Sequence, residues 1–171
     1  MTEKVEEVEV KTFTIEQRAR VEDIANAQLK DELESYFDEG YYLSVDWITQ
    51  KVTKENQCHY YNYFIEATFG VKIMEIDVIS EEEYEEEKEI ILETFAIFAE
   101  GSLKLNLYGL SIECIFSPTA EVKEYSQVGL ALSVRLKSIL PLDEKKIGTI
   151  LSEIVSTVIK LSQIEDITRI A

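Results

Sequence analysis

Apolar positions along this chain switch between a two-residue and a 3.6-residue period, and the switches outline its elements. Over Glu3–Phe13, Val8 and Val10 partly alternate with Glu7, Glu9 and Lys11, the pattern of a short edge strand with charges facing out. The period then lengthens. Val21, Ile24, Ala25, Leu29, Leu33, Tyr36 and Phe37 share one helical face. Thr14 stands where an N-cap belongs, Gln17 three residues later completes a capping box, and Gly40 ends the helix.

Alternation resumes at Tyr41. Leu43, Val45 and Trp47 are expected on one strand face, and Lys54–Gln57 reads as a turn. In the long run that follows, Tyr61, Tyr63, Ile65, Ala67, Phe69, Val71 and Ile73 share a face, while Phe64, Met74 and Ile76 mark the other as partly covered. The length of this run predicts a bend or bulge near Gly70.

Ser80 caps a second predicted helix, with Glu81, Glu82 and Glu83 in its first turn, where the helix dipole favours negative charge. Tyr84, Lys88, Ile91, Leu92, Phe95 and Phe98 face inward, with Lys88 at the margin, which turns Glu85, Glu86, Glu89 and Glu93 outward. After Gly101, Leu103, Leu105 and Leu107 begin a strand with a face switch near Gly109. Ser117–Glu124 reads as a loop. Val128, Leu130, Leu132, Val134 and Leu136 alternate cleanly, Leu140-Pro141 breaks the run, and Asp143 caps a third helix over 142–163. That helix carries Ile147, Ile150, Leu151, Ile154, Val155, Val158, Ile159 and Leu161. So wide an apolar face either fills the core or pairs with a second copy of the chain in a homodimer.

These elements predict one α+β domain over 1–171: a mainly antiparallel sheet of four to five strands with three helices, in the order β-α-β-β-α-β-β-α. Phe37-Asp38-Glu39-Gly40 and Phe98-Ala99-Glu100-Gly101 each close a helix before a pair of strands. They suggest an internal pseudo-repeat with halves 14–79 and 80–139.

Charge changes the functional picture. Thirty-four acidic residues against 17 basic ones give a formal −17, which opposes binding to nucleic-acid phosphates or anionic membranes and favours basic partners. The chain has no run of 18 apolar residues, and its charged start, MTEKVEEVEV, lacks the apolar core of a signal peptide. With two cysteines and no framework spacing, the expectation is a cytoplasmic, reduced protein.

Candidate chemistry is sparse. His59 is the lone histidine and neighbours Cys58, but adjacent strand residues point to opposite faces, so the two form no dyad. Cys114 is the other thiol a fold can bring toward His59. One histidine and two separated cysteines fall short of a zinc set, and no phosphate-binding glycine loop occurs. Glu82 with Glu86, or Glu85 with Glu89, meet at i,i+4 and can hold a divalent cation only weakly. No catalytic residue, metal site or cofactor is therefore assigned.

The remaining signals are surfaces. The acidic helix face of Glu82, Glu85, Glu86, Glu89 and Glu93, and the aromatics Tyr41 and Tyr60, are the candidate partner-binding residues. The favoured expectation is a non-enzymatic acidic interaction module — an adaptor, small chaperone or inhibitor — whose protein partner presents a basic surface. Type III secretion chaperones, which are small acidic α+β dimers that escort other proteins, share this coarse element order. It is an analogy of fold alone, carried by no motif. The alternatives are a nucleic-acid mimic that inhibits a DNA- or RNA-binding protein, and an enzyme with an unrecognised carboxylate site.

Overall fold

Six antiparallel strands form one sheet in the order β1-β2-β3-β6-β5-β4. The structure is a computed structural model, and it describes residues 5–33, 41–75, 101–107, 110–122 and 125–161. The elements are β1 (Val5–Thr12), α1 (Ile15–Leu33), β2 (Tyr41–Glu55), β3 (Cys58–Glu75), β4 (Gly101–Leu107), β5 (Leu110–Val122), β6 (Tyr125–Ser138) and α2 (Glu144–Leu161). The class is α+β, as the periodicity predicts. The sheet has six strands rather than four or five, and two helices lie among the described residues. The predicted helix over 80–98 lies outside those residues.

The extra strand comes from the segment expected to be one strand with a face switch at Gly109. It folds as a hairpin, in which Leu107 opposes Leu110 and Leu103 opposes Cys114. β5 then runs on through the segment expected to be a loop, pairing with β6 as far as Val122 opposite Ser126. Pro118 fits there because β4 stops at Gly101 opposite Phe116. Beyond that point no described residue pairs with β5 on the β4 side, where a missing N–H is tolerated.

Local signals in the sequence explain the element ends. Thr14 Oγ1 accepts from Gln17 N at 3.1 Å while Gln17 Oε1 accepts from Thr14 N at 2.8 Å, a reciprocal capping box. Asp143 Oδ1 accepts from Lys146 N at 2.8 Å and caps α2. The turn expected at Lys54–Gln57 is a two-residue hairpin with Asn56 at φ 50° and Gln57 at φ 68°. Both residues are left-handed, the geometry that matches the twist of the flanking strands.

The core lies between one sheet face and the two helices. Tyr63, Ile65, Ala67, Phe69 and Val71 of β3 are buried there with Leu130, Leu132, Val134 and Leu136 of β6. On α2, Ile147, Ile150, Leu151, Ile154, Val155, Val158 and Ile159 are fully buried within a single chain, so this face needs no second copy to cover it. Gly148 lies at a close approach of the two helices. A Cβ there would lie 2.8 Å from Ile24 Cγ2 and 3.0 Å from Val21 O. Beside it, Gln28 Nε2 donates to Thr149 Oγ1 and Ser152 Oγ donates to Gln28 Oε1, joining the helices by side-chain hydrogen bonds.

β1 covers only half of β2, from Thr49 to Glu55. α1 lies along the rest of that edge and replaces the missing strand with side chains. Asn26 bonds both backbone groups of Leu43, Glu22 Oε1 accepts from Val45 N at 2.7 Å, and Arg18 Nη1 donates to Asp46 O.

Candidate interaction surface

The β2–β3 register jumps from Val45 opposite Ala67 to Trp47 opposite Glu66, leaving Asp46 as a bulge. Sequence alternation puts Trp47 on the buried face with Leu43 and Val45. The extra residue reverses that, because a one-residue shift turns every later side chain over. Ile48 is fully buried and Trp47 is 49% exposed. Arg18 holds the bulge through Asp46 O, and Thr68 Oγ1 donates to Asp46 Oδ2 at 3.3 Å. The bulge expected near Gly70 lies further on, in the β3–β6 register between Lys72 and Met74.

Trp47 thus stands on the sheet face opposite the core. Phe64, two residues along β3 from Trp47's partner Glu66, is exposed there too. Ile115, in the same row by way of Ser133, is 66% exposed. No described element packs over Phe64 on that face, since both described helices lie on the other side. The Met74 side chain and Ile76, which with Phe64 led to the expectation of a partly covered face, lie outside the described residues.

The charges on this face are matched across strands. Register places Phe64, Arg135, Glu113 and Lys104 in one row over β3, β6, β5 and β4. Arg135 lies over the Phe64 ring at 5.7 Å, and Lys104 sits 3.9 Å from Glu113. Lys137 pairs with Glu55 at 2.9 Å and lies 4.5 Å above the Tyr60 ring. Ser133 Oγ donates to Glu66 at 2.9 Å. Asn62, Phe64, Ser111, Glu113, Arg135 and Lys137 line a shallow depression of about 260 Å³. The result is a charge-compensated surface bearing apolar side chains, on a chain whose formal charge is −17.

Tyr60 is half-buried on this face. Tyr41 is not: it packs on the core side, with its ring 6.3 Å from Phe69 and its hydroxyl 3.4 Å from Lys30 O. The structure does not bring the two together. Glu82, Glu85, Glu86, Glu89 and Glu93 lie outside the described residues. Sequence reasoning missed Trp47, Phe64 and Ile115 as a set, because only the bulge and the strand order put them on one face.

The cysteines and His59 are apart. Cys114 is buried in the row of Val134 and Ile65, and burial pushes its thiol up to about 12. His59 is exposed six residues further along β3, which at strand rise is about 20 Å away. Among the described residues, no group of three His, Cys, Asp or Glu side chains is placed to hold a metal ion, and no helix is long and apolar enough to cross a membrane.

Comparison with family models, curated proteins and solved structures found no match for this chain.

Proposed function

We propose that this protein is a non-enzymatic acidic interaction module, acting as an adaptor, small chaperone or inhibitor, which seats a partner protein on the open face of its sheet. The observation that supports this most is the exposure of Trp47, Phe64 and Ile115 on one face that no described element covers. Exposed apolar and aromatic side chains on one sheet face, here interspersed with the hydrogen-bonded Glu66 and Ser133, are the kind of residue a protein interface buries. The partner has an apolar centre and basic flanks. Its centre meets a face whose charges are already paired, and its flanks meet the excess carboxylates elsewhere on the chain.

The test uses Trp47 as its own reporter, since it is the one tryptophan. A partner retained from native extract is purified and titrated into the parent and into Trp47→Ser, Phe64→Ser and Ile115→Ser, with tryptophan emission read in the Trp47-containing proteins and calorimetry in all. Loss of roughly tenfold or more in affinity at Trp47 or Phe64, with parent-like melting, supports the reading. Unchanged affinity in all three, with loss on charge reversal at Glu85, Glu86 and Glu89, would move the site to the acidic segment.

A further inference from the structure

β1 ends the sheet: it pairs with β2 on one side, and no described strand lies on its other side. All eight of its side chains are exposed. The fold closes the neighbouring part of the same edge, where Asn26, Glu22 and Arg18 occupy the backbone of Leu43, Val45 and Asp46. It leaves β1 open. We propose that β1 is a self-association surface, and that its occupant is β1 of a second copy, running antiparallel and continuing the sheet across a twofold axis at Val10.

The register follows from charge and symmetry. A twofold axis normal to the sheet sets one residue opposite its own copy. Centred on Val8, it would oppose Glu7 to Glu9. Centred on Glu9, it would oppose two glutamates. Centred on Val10, it sets Val10 against Val10 and pairs Glu9 with Lys11 twice, once on each side of the axis. The same register sets Val8 opposite Thr12, at the limit of the regular segment. Bulges and charges on an edge ordinarily oppose such pairing. Here the bulge, between Glu7 and Glu9, leaves Glu9–Thr12 in regular register with β2, and the charges within that segment are complementary in an antiparallel copy. Because the partner strand is the same strand, the contact closes as a dimer. Pairing of β1 with the opposite edge strand, β4, would instead extend without limit.

Sedimentation velocity over a concentration series at low salt tests this. The parent sediments as a dimer with a measurable dissociation constant. Lys11→Glu, and separately Glu9→Lys, turn both cross-strand pairs repulsive and raise that constant roughly tenfold or more. An equimolar mixture of the two variants restores the dimer, because every cross-strand pair between the two chain types again joins an acidic side chain to a basic one. Both positions are exposed, so parent-like circular dichroism and melting are expected and verify folding. A monomeric parent, an open-ended oligomer, or a dimer indifferent to these substitutions overturns the proposal.

Discussion

Asn26 on α1 engages both backbone groups of Leu43: its Nδ2 donates to the carbonyl at 2.9 Å, and its Oδ1 accepts from the amide at 2.8 Å. A strand would make the same pair of bonds. Asn26→Ala leaves a part-buried donor and acceptor unpaired, and should cost about 2–3 kcal/mol, near the upper range for such groups. Asn26→Asp keeps the acceptor but sets a carboxylate oxygen against the Leu43 carbonyl, so its loss should be at least as large. Urea melts of the two variants rank them.

Gly148 inverts a usual rule. In an open helix, glycine to alanine stabilises by about 1 kcal/mol. Here the added methyl would meet Ile24 and the Val21 carbonyl inside van der Waals distance. Gly148→Ala should therefore destabilise, by about 1–2 kcal/mol once overpacking offsets the gain in propensity. A stabilised variant in thermal melts would show that α1 and α2 separate freely.

Gln57 sits at φ 68° in the β2–β3 turn, a conformation costly for a side chain with a Cβ. Gln57→Gly should stabilise by about 0.5–1 kcal/mol, since the second position of this turn favours glycine. Equilibrium denaturation checks the sign.

Cys58 is exposed and Cys114 buried. A thiol reagent at neutral pH should add once to the native protein and twice in denaturant, as read by intact mass. Burial raises the Cys114 pKa from 9.0 to about 12. The unfolded chain therefore loses this proton before the native chain does. The associated stability is fully present below about pH 9 and is lost as pH rises from 9 toward 12. Tyr63, raised above 10.0 chiefly by burial, acts in the same direction at higher pH. Cys114→Ala should flatten the fall in urea midpoint between pH 9 and 10.

The sequence announced what depends on near neighbours. Thr14, Gln17 and Asp143 act within three residues, and their caps stand where the pattern puts them. The buried faces of β6 and α2 follow strict periods, and they too were readable. Trp47 was not. Its direction is set by a bulge that Arg18 holds from 28 residues away. The β4–β5 hairpin was also hidden, because leucines continue on both sides of the break and alternation alone does not mark a reversal. The open face is a product of strand order, and no local pattern encodes it.

The strand order has a kinetic consequence. The sheet is two three-stranded ribbons, β1-β2-β3 and β4-β5-β6, whose strands follow one another in the chain and lie side by side. Among the described residues the two ribbons pair with each other only through β3 and β6, where Tyr61 opposes Ser138 at the far end of a long loop. Each ribbon can begin to pair locally, but the ladder that joins them waits for that loop to close. Refolding should therefore be slow for a chain of this length. Substitutions at the seam, such as Ile65→Ala facing Val134, should slow folding more than equally destabilising changes within either ribbon.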